Sequence, residues 1–158
     1  MQYFNSISLN DFPLDHPVVT FHKYWGDFFK GSGPVAWSSF NPMKTPNVLP
    51  WIMLLDCLND DIYRFRVFGT GCQQLFGSDQ TGEIFGYNVD NIFVCQAKKK
   101  FGQLKTGASP MFHAGNLPFI NQAHIQVLGA TYGLSTNGES IDRIIAIAAP
   151  PKGRRLAF

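Results

Sequence analysis

Trp51-Ile52-Met53-Leu54-Leu55-Asp56-Cys57-Leu58, then Asn59-Asp60-Asp61, then Ile62-Tyr63-Arg64-Phe65-Arg66-Val67-Phe68, is the stretch from which the fold can be read. The first run is continuously apolar except for Asp56. The second alternates, with Tyr63, Phe65 and Val67 on one face and Arg64 and Arg66 on the other. Two such runs around a short Asn/Asp turn predict a β-hairpin with one face turned to a core. Gly69-Thr70-Gly71 ends the second strand, and Cys72 to Phe76 predicts a short helix stopped at Gly77.

N-terminal to the hairpin, Ser32 to Pro50 holds Pro34, Pro42, Pro46 and Pro50 and reads as a connector. Before it, Asp15-His16-Pro17 predicts a helix start. Val18, Phe21, Trp25 and Phe28 recur at helical spacing, and Gly31 can close the helix. That helix is too apolar to lie alone in water, so it must cover a sheet face or pair with another subunit.

C-terminal to the hairpin, Ser78 to Asn88 is rich in turn residues, and Asp90 opens a longer helix. Its stripe is Phe93, Ala97, Phe101 and Leu104, with Lys98-Lys99-Lys100 read as a solvated face. Beyond Thr106-Gly107 the period becomes two. Met111 to Leu117 and Ala123 to Leu134 read as strands, and Asn137-Gly138 as a tight hairpin turn back into Ile141 to Ala148. Strands grouped at both ends with helices between predict an α+β domain with a mainly antiparallel sheet.

At 158 residues the chain fits one domain. Apolar residues make up 45% and charged ones only 15%, against about 25% charged in typical domains, which excludes a disordered or coiled-coil chain. A net charge of +2 excludes the concentrated basic face of a dedicated nucleic-acid binder. Fifteen Phe must line a core, a cavity or a partner surface. Met1 to Asp15 shows no signal-peptide pattern, and Ile144 to Ala149 is far shorter than the ~20 residues that span a bilayer. Cys57, Cys72 and Cys95 are odd in number and widely spaced, so no disulfide framework is expected. Each reads as a small buried hydrophobe, and the whole fits a cytoplasmic location without membrane contact.

Chemical motifs are sparse. Gly69-Thr70-Gly71-Cys72-Gln73-Gln74 lacks the third glycine of a dinucleotide turn and follows a hairpin rather than a parallel strand. No nucleophile elbow occurs. His16, His22, His113 and His124 lack metal spacing, although His113 and His124 could face each other on neighbouring strands. A small isomerase-like enzyme would require Asp56, His113 or His124 to point into an apolar pocket with a partner.

Phe40-Asn41-Pro42-Met43, Pro46, Leu49-Pro50, Leu54-Leu55-Asp56, Tyr63-Arg64-Phe65-Arg66-Val67-Phe68-Gly69-Thr70 and Asp79-Gln80-Thr81-Gly82, in this order, resemble a PAS-domain family found in alphaproteobacteria. Asn41 stands where that family carries Asp. The resemblance runs from about Tyr24 to the final strand. It implies a five-stranded antiparallel sheet with short helices and one longer helix on a single face, here with an extra N-terminal helix. It further implies a sensory or protein-interaction module, commonly dimeric and in some members enclosing a small ligand, rather than an enzyme. The flavin-photosensor subtype carries N-C-R-F-L-Q, which Thr70-Gly71-Cys72-Gln73-Gln74 does not match. The haem subtype uses a His on the long helix, and Asp90 to Lys105 holds none. Both cofactors are therefore disfavoured, and a haem sensor and the small enzyme stand as alternatives.

The expected organisation is an aromatic helix over residues 1–31, a PAS-like domain over 32–150 and a tail over 151–158. The candidate pocket residues are Tyr63, Phe65, Val67, Leu75, Phe76, Phe93, Ala97, Phe101, Met111, Ile125 and Val127. If these fill the space at normal density, the domain binds only proteins. If a gap remains, a small apolar ligand such as a fatty acid or small aromatic suits it. Val18, Phe21, Trp25 and Phe28 are the candidate contact of a homodimer. With the chain used up by this domain, the signal would pass to a separate protein such as a histidine kinase.

Overall fold

The computed structural model describes residues 2–31, 33–59, 61–107 and 110–152. Its strands are β1 (Asn5–Ser6), β2 (Val35–Ala36), β3 (Ile52–Asn59), β4 (Ile62–Phe68), β5 (Ile84–Phe85), β6 (Met111–Asn116), β7 (Gln126–Ser135) and β8 (Arg143–Ala149). Three α-helices, α1 (Pro17–Gly26), α2 (Thr70–Phe76) and α3 (Ile92–Gly107), complete an α+β fold. The eight strands form one open sheet in the order β1-β6-β7-β8-β3-β4-β5, with β2 beside the far end of β7. Every pairing is antiparallel except that of β2, which runs parallel to Leu134 and Ser135.

The hairpin β3–β4 forms as its pattern predicts, closing at Asn59↔Ile62, but its register shifts twice, between Cys57 and Asn59 near the turn and between Leu54 and Leu55 further along. Leu54 pairs with Val67 and Leu55 with Phe65, so the chain bulges at Arg66. A bulge shifts the side-chain alternation by one residue. Val67 consequently turns out to 45% exposure and Phe68 turns in, which corrects the placement of Val67 on the inner face. The turn at Gly69-Thr70-Gly71 is a packing device. A Cβ at Gly69 would meet the Pro50 carbonyl oxygen at 2.4 Å, and one at Gly71 would meet the Trp51 ring at 2.6 Å.

Strands β7 and β8 are buried on both faces, because successive side chains point to opposite sides and both sides are covered. On one side the row Tyr132, Ile145 and Leu54 meets α1. Phe21 and Trp25 each lie 4.8 Å from the Tyr132 ring. On the other side Leu55, Ile144 and Ala146 share a second core with Ala97, Phe101 and Leu104 of α3.

This arrangement corrects the reading of α1 as a contact between subunits. Val18, Phe21 and Trp25 are buried in the chain's own core, and Phe28 packs against it while stacking edge-on with Tyr24. The helix is capped by His16, whose Nδ1 accepts from the Val18 amide at 3.1 Å, rather than by Asp15. It ends at Gly26, short of Gly31. Asn91, not Asp90, caps α3 by accepting from the Val94 amide. The β7–β8 connection is also longer than a two-residue turn. It runs from 136 to 142, with Gly138 at positive φ and Asn137 Oδ1 accepting from the Glu139 and Ser140 amides.

Cys72 is buried as read, whereas Cys57 is half-buried and Cys95 exposed. Among the described residues, no helix is long and apolar enough to cross a membrane. The expected tail over 151–158 lies outside the described residues beyond Lys152.

If α1 belongs to the core, Phe21→Ala should cost about 3–5 kcal/mol of stability in denaturant unfolding. Unchanged stability with a loss of self-association would return α1 to the role of a subunit contact.

Candidate functional site

The sheet face beneath α3 has a shallow floor. Alternation puts Met53 and Leu55 of β3, Ala146 and Ala148 of β8, Val127 and Thr131 of β7 and His113 and Gly115 of β6 on that side. Alanine and glycine at the centre leave room that larger residues would fill. Aromatic walls rise around the floor: Phe65 and Phe68 from β4, Phe85 from β5, Phe76 from the end of α2, and Phe93 and Phe101 from α3. The segment before β1 adds Tyr3 and Phe4, and the loop after β6 adds Leu117, Pro118 and Phe119. Together they bound a cavity of about 470 Å³, within the ~300–1,000 Å³ of small-molecule sites.

Six of the eleven expected pocket residues line this cavity: Phe65, Phe76, Phe93, Ala97, Phe101 and Val127. Tyr63 is buried beside it against Phe101, 5.0 Å between ring centres. Val67 is displaced outward by the bulge. Leu75 and Ile125 pack in the core cluster that includes α1 and do not line the cavity. Met111 borders a separate, smaller cleft at the β1–α3 edge.

Of the polar residues of the cavity, the sequence marks out His113 as a candidate, but not Lys100 or Thr131. Lys100, read as solvated, is 6% exposed. It falls three residues after Ala97 and one before Phe101, so it shares their buried face. Lys98 donates to the Gly86 carbonyl oxygen at 2.9 Å, and of the three lysines Lys99 alone is exposed. Lys100 Nζ donates to His113 Nδ1 and sits 4.7 Å from the centre of the Phe4 ring. No ion pair joins Lys100 to a carboxylate among the described residues. His113 pairs across β7 with Gly129, where a Cβ would meet His113 Nε2 at 2.6 Å, so glycine is what lets the imidazole lie flat. Thr131 faces the same side two residues along β7, and its Oγ1 is buried without a hydrogen-bond partner.

His113 and His124 do not face each other. His113 is buried in the cavity wall, while His124 is exposed in the connection before β7. Asp56 lies off the cavity and accepts from Arg66 Nε and Arg143 Nε, each at 3.0 Å. Of the three residues named for an isomerase-like site, His113 alone lines the cavity, and its partner is an amine rather than a carboxylate. Among the described residues, no group of three or more His, Cys, Asp or Glu side chains could hold a metal ion.

Burial holds the Lys100 ammonium well below the ordinary lysine range. Burial, and secondarily the nearby Lys100 charge, holds His113 well below the ordinary histidine value. His16 is lowered by burial, although its contact with the Ala149 carbonyl oxygen opposes the shift, and His22 is lowered by burial alone. In comparisons with known proteins, no family model matches this chain and no curated protein matches it.

The lowered histidines set a direction for stability against pH. Below the ordinary value of 6.5 the unfolded chain binds protons that the folded chain resists. The stabilisation is therefore complete above that value and is lost as pH falls through the lowered folded-state values. The thermal midpoint followed by circular dichroism should drop on acidification. His16→Asn, which keeps a capping acceptor, should make that drop shallower.

Proposed function

We propose that this chain is a PAS-type sensory module that takes a small, largely apolar molecule between α3 and the sheet and relays its presence through protein contacts. The observation that carries the reading is the aromatic cavity of about 470 Å³ on one face of an antiparallel sheet. Two further features support it. The five longer strands β6, β7, β8, β3 and β4 are adjacent and antiparallel to one another. The long helix α3 and the end of α2 meet the same face of that ribbon, the arrangement that the resemblance to PAS domains implies. Interiors are otherwise packed to near-crystalline density, and side chains of this size had every opportunity to close the gap.

Occupancy would act on α3, which meets the cavity through the side chains of Phe93, Ala97 and Phe101, whereas the sheet is held by its backbone ladder. A separate signalling protein such as a histidine kinase, in the cytoplasm, is the receiver on this reading. A second copy of the chain can serve in that role only through a surface other than the buried face of α1.

Nile red, a neutral apolar fluorophore, tests the reading. The intact protein should bind it saturably, and Ala97→Phe, which projects a ring into the cavity, should abolish binding while the circular dichroism spectrum persists. Lack of saturable binding by the unaltered protein would remove the proposal. Native mass spectrometry of freshly purified protein should in addition show any molecule retained from the cell.

A further inference from the structure

We propose that the occupant of the cavity is an amphipathic carboxylic acid, its tail among the phenyl rings and its carboxylate received by Lys100 Nζ. This deepens the ligand-site reading above and rests on it. The argument starts from what the lining leaves unpaired. A chain that needed only an apolar filler at position 100 could carry Met or Leu on this stripe of α3. It carries instead a lysine that is 6% exposed, whose contacts are the His113 ring and the face of Phe4. Buried ammonium groups are stable when an anion or several hydrogen bonds compensate them. Among the described residues no side-chain carboxylate does so here.

A second polar group independently points to the same space. Thr131 is 1% exposed, lines the cavity, and its Oγ1 has no partner. Because His113 pairs with Gly129 and Met111 with Thr131, His113 and Thr131 stand on one face of neighbouring strands, one step apart diagonally. Lys100, His113 and Thr131 thus make a small polar patch in a wall that is otherwise mostly aromatic and aliphatic.

A pure hydrocarbon would leave the Thr131 hydroxyl unpaired and Lys100 with only the His113 ring as its hydrogen-bond partner, and a cation would repel the lysine. A carboxylate gives Lys100 its counter-charge and can accept from the Thr131 hydroxyl. The neutral His113 ring accepts from Nζ and so fixes where the amine points, which makes it a positioning residue. A phosphate fits less well, since one amine and one hydroxyl supply neither the guanidinium fork nor the row of backbone amides that phosphates favour.

The test uses the full chain with decanoate, decanol and methyl decanoate, each below its micellar concentration, in titration calorimetry. Decanoate should bind about tenfold or more tightly than decanol or the ester. In Lys100→Met that preference should vanish while decanol keeps its affinity. Nile red binding by the variant serves as the check that its cavity is intact, and Lys100→Gln provides a second variant should Met alter the packing. Equal affinity for acid and alcohol in a protein that binds Nile red would overturn the carboxylate inference and leave the apolar cavity standing. Failure to bind Nile red or any of the three would overturn the ligand-site reading, and this inference with it.

Discussion

The structure depends on burying β7 and β8 on both faces. Once nearly every residue of a strand pair is withdrawn from water, each side needs its own cover, and the two covers here are of different kinds. Beneath α1 the side chains interlock: Phe21, Trp25 and Tyr132 bring ring against ring, and Ile145 and Leu54 continue the layer. Beneath α3 the centre of the floor is alanine and glycine, and rings stand around its rim. The same alternation along one strand therefore sends Tyr132 into a filled layer and Thr131 into a cavity.

Two embedded polar sites show how differently the chain treats charge. Asp56, on the α1 side of β3, is held between Arg66 and Arg143, and the Arg143 guanidinium lies over the Trp37 ring at 4.7 Å. That cluster is satisfied within the chain and sits at the rim of the sheet. Lys100 has no such carboxylate partner among the described residues. The contrast separates a polar group that fastens the fold from one that the fold leaves available.

Much of the framework was legible in the chain because strong periods encode it. The β3–β4 hairpin, the short α2 stopped at Gly77 and the Phe93–Ala97–Phe101–Leu104 stripe all follow from spacing. The failures are equally physical. A one-residue bulge at Arg66 has no signature in an alternating run, so Val67 and Phe68 exchanged places. The two-residue strands β1, β2 and β5 are too short to carry any period. Phe4 and Tyr3 reach the cavity through a fold contact made more than a hundred residues away in the chain. The apolar stripe of α1 was plain, but spacing says only that a face is buried and not against what. Lys100 could have been found, since it lies on the helix's inner stripe, yet a run of three lysines disguises a residue that behaves unlike its neighbours.

The sheet order carries a kinetic consequence. The hairpin β3–β4 with β5 forms one half of the sheet, and β6–β7 with β1 forms the other, and β8 is the strand that joins them. Until Arg143–Ala149 has left the ribosome, the two halves share no backbone ladder, and their apolar edges stand open. Assembly must then zip a late strand between β3 and β7, partners far apart in sequence, the kind of non-local closure that slows folding and exposes aggregation-prone surface in the interval.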